Sequence, residues 1–463
     1  MRRGEIAMHP GEPGAAAAPT GDEAPSGSTV AGRLGSGRIR VLLLAESCTP
    51  ERISVPLIGW HVYRALKDVV DVHLVTHRRN EAALRRAGVP EGQVTLIDAQ
   101  AVTRRLDRLS ERLRATGRGW TIATALSALS YYHFEHRAWR RFRSALHAGR
   151  FDVVHRVTPV SPTCQSWMAS RCPVPFVLGP INGGLPWPRQ FRTAQHAERE
   201  WLSSVRDLYR LLPGYRSSLR ASRAIMVGSK TTRAQLPAWC QSNAIHLPEN
   251  AVDPCLFVPV GRSGRRGETV ALFLGRLVPF KGPDLFLEAA IPWIRRRALR
   301  CVFVGDGPQR PQLEALVRRE GCEGSVEFRG WLPHAEILPY LHEADMLVLP
   351  SIREFGGGVV LEAMATGLPP IVVDYGGPGE LVTARSGIKV PIGSRADIVR
   401  GVRESIGRLI ADPGSRAELG RCAAERVASL FTWEAKARQI VETYEWVLGR
   451  RPERPDFGFD GPD

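Results

Sequence analysis

Residues 351–370 read Ser-Ile-Arg-Glu-Phe-Gly-Gly-Gly-Val-Val-Leu-Glu-Ala-Met-Ala-Thr-Gly-Leu-Pro-Pro. The apolar run Met346–Leu349 before them predicts a buried strand, and a helix is expected to open near Val359. The turn between, Gly356-Gly357-Gly358, suits an anion. Glycine lets the backbone approach a ligand closely. The helix start beyond it offers unpaired N–H groups and partial positive charge. Two carboxylates, Glu354 and Glu362, bracket the turn. Phosphate would repel them, so they are suited to hydroxyls. Phosphate beside sugar hydroxyls is the signature of a nucleotide-sugar.

A second turn fits the same ligand. Leu274-Gly-Arg-Leu-Val-Pro-Phe-Lys-Gly282 puts Arg276 and Lys281 just past another predicted strand, with Gly275 in the same turn. Arginine grips phosphate oxygens bidentately, and lysine adds a point charge. Ligands of open α/β sheets bind at the carboxyl edge of the strands. Arg276, Lys281, Glu354 and Glu362 are therefore expected on one edge. Only five of the 63 basic residues are lysine, which makes Lys281 more conspicuous.

The chain of 463 residues is long enough for two cores. Apolar content of 43% and charged content of 24% fit a soluble globular protein. Eight cysteines show no CxxC and no zinc spacing. Reduced thiols and a cytoplasmic location follow as expectations. No apolar stretch follows Arg2–Arg3, so no signal peptide is expected.

Residues 1–36, rich in Gly, Pro, Ala and Ser, read as a disordered tail. From Arg38 strands and helices alternate, which predicts a doubly wound parallel sheet over 37–250. The same rhythm restarts over 251–431, with Arg262–Arg266 as an exposed linker zone. Residues 432–449 form a last amphipathic helix, with Trp433, Ala437, Ile440, Tyr444 and Val447 on one face, and 450–463 a loose tail. The fold class is α/β, with two Rossmann-like doubly wound domains facing across a cleft.

Between Arg104 and Arg150, eleven arginines face Asp107, Glu111 and Glu135, a local net of +8 within a total of +16. Two helices, around Thr103–Arg114 and Ala138–His147, are expected there, with Trp120–Tyr132 as a mobile flap between them. This stretch reads either as a surface layer on the sheet or as a peripheral contact with an anionic membrane, at its inner face, or with a lipid-linked acceptor. No recognised nucleic-acid module accompanies the charge, so no nucleic acid partner is expected.

The runs GRLVPFKG, VGDGP, FRGWLPHAEI, ADMLVLPS, the Glu-x7-Glu pair, GGPGELV and FTWEAKARQIVETY together resemble the donor domain of family 4 retaining glycosyltransferases with the GT-B fold. The resemblance covers roughly 250–448, with weaker similarity from about 38. It implies that Arg276 and Lys281 contact a donor diphosphate and that Glu362 binds the ribose. It implies that Glu354 faces the sugar, and that the backbone of Phe355, Gly356, Gly357, Gly358 and Val359 binds phosphate. Trp331 would lie by the base, and the last helix would cross back onto the first domain. Family members often carry a Gly-Gly loop after the first strand; here only Gly59 stands near that helix. Asp152-Val-Val-His155 resembles a strand ending in a sugar-facing histidine, although Val157 replaces a second histidine found in many members.

Gly179-Pro-Ile-Asn-Gly-Gly-Leu-Pro-Trp187 reads as a close-approach loop, and Asn182, Gly183 and Gly184 are acceptor-side candidates. No Asp-x-Asp dyad sits in a plausible loop, so neither a metal nor another cofactor is expected. The implied activity is metal-free transfer of a sugar, with retention, from a UDP-, GDP- or ADP-sugar to a sugar, lipid-linked or small-molecule acceptor. Two alternatives stay open: a phosphorylase or epimerase on the same architecture, and a non-catalytic nucleotide-sugar-binding scaffold.

Overall fold

A computed structural model describes residues 37–52, 54–99, 120–191, 209–211, 214–260 and 268–459. The expected tail 1–36, the helix around Thr103–Arg114 and the linker zone Arg262–Arg266 fall outside the described residues.

Two parallel-sheet α/β domains make up the described chain. The first sheet contains β1 (Arg40–Ala45), β2 (Asp71–His77), β3 (Val94–Ile97), β4 (Val153–Thr158), β5 (Phe176–Ile181), β6 (Ser222–Val227) and β7 (Ala244–His246), in the spatial order 3-2-1-4-5-6-7. The second contains β8 (Thr269–Leu274), β9 (Leu299–Val304), β10 (Val326–Gly330), β11 (Met346–Leu349), β12 (Pro370–Val373) and β13 (Ile388–Val390), in the order 10-9-8-11-12-13. The recorded pairings are parallel. The central strands are covered on both faces, which is why they read as continuous apolar runs such as RVLLLA and MLVL.

The strand order positions the site. In the second sheet β8 lies between β9 and β11, so the chain winds one way from β8 to β9 and the other way across to β11. The turns after β8 and β11 are therefore neighbours beside a crevice. They are also bonded: the Ile352 amide donates to Phe280 O at 2.8 Å, and the Ser351 hydroxyl to the same oxygen at 2.9 Å.

The last helix, Trp433–Val447, packs against the first domain. Trp433 stacks on His61 with ring centroids 4.6 Å apart, and Tyr444 reaches His155 on β4. Other expectations need correction. Trp120–Tyr132 is not a flap between two helices; it opens a continuous 28-residue helix, Trp120–His147. Two edge strands, β7 and β13, and the helices Glu81–Arg86, Arg395–Ala411 and Pro413–Leu430 were not anticipated. Among the described residues no helix is long and apolar enough to cross a membrane.

Candidate functional site

The turn after β8 carries Gly275, Arg276 and Lys281. The turn after β11 carries Glu354 and the glycines. The Lys281 ammonium contacts the Glu354 carboxylate directly, with side chains 15% and 18% exposed. Lysine has three N–H donors, so this contact leaves donors for a phosphate. Arg276 is exposed, and its guanidinium lies 5.7 Å from the Phe280 ring centroid. Gly357 has φ +60° and precedes the helix Gly358–Ala365, which opens without a side-chain cap. Its first amides thus have no side-chain cap.

Glu362 lies on that helix, four residues beyond its start. His334, from the segment after β10, bonds it: His334 Nε2 is 2.8 Å from Glu362 Oε1. This hydrogen bond holds the His334 pKa above the ordinary histidine value, against the opposing effect of burial. The sequence reading missed His334, although it belongs to the quoted FRGWLPHAEI run. Trp331, at 70% exposure, stands on the same segment.

The loop after β5 comes to the donor side. The Arg353 Nε donates to Leu185 O at 3.3 Å, and the Tyr375 hydroxyl to Pro186 O at 2.8 Å. The Arg353 guanidinium lies between two aromatic rings, 5.0 Å from Trp187 and 5.2 Å from Phe355. Asn182 is buried at the start of this loop. Gly183 and Gly184 are tied to the helix Lys230–Gln235: Thr232 Oγ1 donates to Gly183 O at 2.9 Å and Gln235 Nε2 to Gly184 O at 2.7 Å.

Two candidates have other surroundings than expected. His155 is fully buried. Its Nε2 is 2.7 Å from Gly179 O, which only accepts, so Nε2 carries the proton. Its Nδ1 then accepts from the Tyr444 hydroxyl at 2.6 Å. Burial lowers its pKa to about 4. His155 ties the last helix to the first sheet. Gly59, inside the helix Val55–Leu66, is a packing glycine: a Cβ there would lie 2.3 Å from Ser47 O. It lets the helix approach the loop after β1.

Among the described residues no group of three or more His, Cys, Asp or Glu side chains is placed to hold a metal ion. A cavity inside the first domain is lined by Arg156, Gln165 and Tyr215.

Residues 268–411 match the family of glycosyl transferases group 1. Glycogen synthase of Mycobacterium tuberculosis (strain CDC 1551 / Oshkosh) is 31% identical over 213 residues, which is 45% of this chain and 50% of that protein. D-inositol 3-phosphate glycosyltransferase of Streptomyces bingchenggensis is 34% identical over 201 residues, 41% of this chain and 43% of that protein. The chain spans about half the length of the curated relatives it matches. Among solved structures, Anabaena Alr3699/HepE in complex with UDP superimposes with a TM-score of 0.59 at 16% identity, over 88% of this chain and 100% of that one. The chain's similarity to the glycosyl transferases group 1 family thus lies in residues 268–411, and its two parallel-sheet domains have the GT-B fold.

Proposed function

We propose that this protein transfers a glycosyl group from a nucleotide-diphosphate sugar to an acceptor hydroxyl, with retention and without a metal ion. The observation that carries the proposal is the meeting of the Arg276–Lys281 turn with the Glu354–Gly358 turn beside the crevice between β8 and β11. Diphosphate oxygens would lie against Lys281, Arg276 and the opening amides of the helix Gly358–Ala365. Glu362 would accept from the ribose hydroxyls, and Glu354 would face the sugar. As the bond from the anomeric carbon to the diphosphate breaks, negative charge grows on the leaving oxygens and positive charge on the sugar. Preorganised cations and amides favour that charge over the ground state. A carboxylate beside the sugar favours the oxocarbenium-like centre.

UDP is the first donor base to test, because it is the nucleotide bound in the Anabaena structure. The acceptor is assigned to the first domain. The described part of 104–150 includes a basic helical stretch with Arg137, Arg140, Arg141 and Arg143. We assign that face to peripheral contact with an anionic membrane or a lipid-linked acceptor, at the cytoplasmic side.

The test is release of nucleoside diphosphate from UDP-, GDP- and ADP-sugars by the full chain, followed chromatographically. One donor should be turned over, and Lys281→Ala should abolish its turnover. No turnover of any donor, with or without added acceptors, contradicts an enzymatic reading.

A further inference from the structure

Asn182, from the first domain, makes its hydrogen bonds in two opposite directions. Its Oδ1 accepts from Ser229 Oγ at 3.0 Å and lies 3.1 Å from Thr232 Oγ1, whose single hydrogen is shared with the nearer Gly183 O. That fixes the amide, so Nδ2 points the other way. There it donates to Glu249, 2.8 Å from Oε1 and 2.9 Å from Oε2, and to Phe355 O at 3.3 Å. Phe355 begins the glycine turn. One side chain of the acceptor-side loop thus holds a backbone carbonyl of the donor-side turn.

Glu249 is wedged in the same place. It is 6% exposed, and glycines crowd its carboxylate on two sides. A Cβ on Gly228, at the end of β6, would lie 2.2 Å from Oε2, and one on Gly356 would lie 2.3 Å from Asn250 Nδ2 and 2.6 Å from Glu249 Oε1. Any larger residue at either position would push the carboxylate or the turn aside. Burial pushes the Glu249 carboxyl up, and the Asn182 bond opposes that shift. Lys436 of the last helix is 1% exposed, and its charge favours the Glu249 carboxylate. Its Nζ makes no hydrogen bond in the structure. Asn182 is therefore the side-chain donor to Glu249, beside the backbone amide of Glu249 itself.

We propose that Asn182 and Glu249 are positioning residues that set the Phe355–Gly358 turn for the donor diphosphate from the acceptor-side domain. This rests on the donor site proposed above and deepens it: Gly356 is a glycine because the Asn250 amide and the Glu249 carboxylate stand behind it, as well as for a ligand in front. A sub-ångström shift of Phe355 O moves the amides that follow it, and phosphate binding depends on their direction. What Glu249 supplies is an acceptor of the right length; a charge is not required.

The test uses the full chain and isothermal titration with UDP, GDP and ADP, with circular dichroism as the control for folding. Glu249→Ala and Asn182→Asp, the latter keeping Oδ1 but losing the donor, should weaken the nucleotide that wild type binds by about tenfold or more, well beyond experimental scatter. Glu249→Gln keeps an acceptor oxygen and should stay within about threefold of wild type. Amide hydrogen exchange at Gly356–Val359 should quicken in the first two variants only.

A purely structural pair would lower the unfolding temperature and leave affinity unchanged. Folded Glu249→Ala and Asn182→Asp with wild-type affinity overturn this inference alone. Wild type that binds none of the three nucleotides overturns the donor site itself, and this inference with it. If Glu249→Ala does not fold, Asn182→Asp and the shortened Glu249→Asp decide by the same readouts. Failure of all three to fold makes the pair a determinant of the fold, which also overturns a positioning role.

Discussion

Lys281 and Glu354 are in direct contact although 73 positions separate them in the chain. Each stands in the turn after its own strand, and β8 and β11 are neighbours in the sheet. The contact joins the cation proposed for phosphate to the carboxylate proposed for the sugar.

Removing the cation should be costly. Lys281→Ala is expected to lower donor turnover by about 10²–10³-fold, the range found for loss of one preorganised donor to a developing anion. Lys281→Arg should not restore it, because the planar fork does not replace a point charge packed against Glu354. Steady-state kinetics on the responding nucleotide-sugar checks both. Activity within threefold of wild type in Lys281→Ala would remove Lys281 from the site.

Nucleotide affinity should depend on pH through His334. Its bond to Glu362 holds its pKa above the ordinary 6.5. Protonated His334 competes with ribose for Glu362. As pH rises from 6.5 through the raised value, the charge is lost and the nucleotide should bind more tightly. The pair's own contribution to stability runs the other way: it is fully present below 6.5 and lost as pH rises through the folded value. Titrations between pH 6 and 8 check the affinity, and His334→Gln should flatten the curve.

The His155–Tyr444 bond should matter for stability and not for chemistry. Tyr444→Phe leaves Nδ1 of a buried histidine without its donor, at a cost of about 1–3 kcal/mol in urea unfolding. Turnover per folded molecule should not change. Because burial lowers the His155 pKa to about 4, the unfolded chain takes up a proton near 6.5 that the folded chain refuses. Stability contributed by His155 should therefore fall as pH drops from 6.5 toward 4. Lost turnover with unchanged stability in Tyr444→Phe would return His155 to the reaction centre.

Glu135 should show the opposite sign. It is fully buried on the helix Trp120–His147 and accepts from the Tyr131 hydroxyl at 2.9 Å, from the Ser166 hydroxyl and from the Met168 amide at 3.4 Å. Burial raises its pKa from 4.5 to about 7 despite those bonds. The folded chain keeps a proton that the unfolded chain releases, so stability falls as pH rises from 4.5 to 7. The span corresponds to on the order of 3 kcal/mol. The difference in stability between wild type and Glu135→Gln, measured across that range, isolates the effect. A pH-independent difference would contradict it.

Much of this architecture was legible in the chain because buried parallel strands leave apolar runs and site turns follow them directly. Gly356–Gly358 and Lys281 could be placed at a sheet edge from local sequence alone. The three-residue strands β7 and β13 were too short to leave a period. The helix Arg395–Ala411 did leave a signal, the Ser394–Asp397 capping box, which the reading passed over. The surroundings of His155 were hidden for another reason. Its partner Tyr444 is 289 positions away, and no local pattern shows which side of a strand a distant helix will cover. The Asn182–Glu249–Phe355 contacts were hidden in the same way: Asn182 and Phe355 were candidates singly, but nothing local joins them to each other or to Glu249.

The central claim is that Arg276, Lys281, the glycine turn and Glu362 receive one nucleoside diphosphate. A crystal structure with the nucleotide that binds in titration tests this most directly. The account predicts diphosphate oxygens within 3.2 Å of Lys281 Nζ, the Arg276 guanidinium and amides of Gly356–Val359, with ribose hydroxyls on Glu362, as ordinary hydrogen-bond lengths require. Nucleotide density at any other surface, with these groups unliganded, would contradict it.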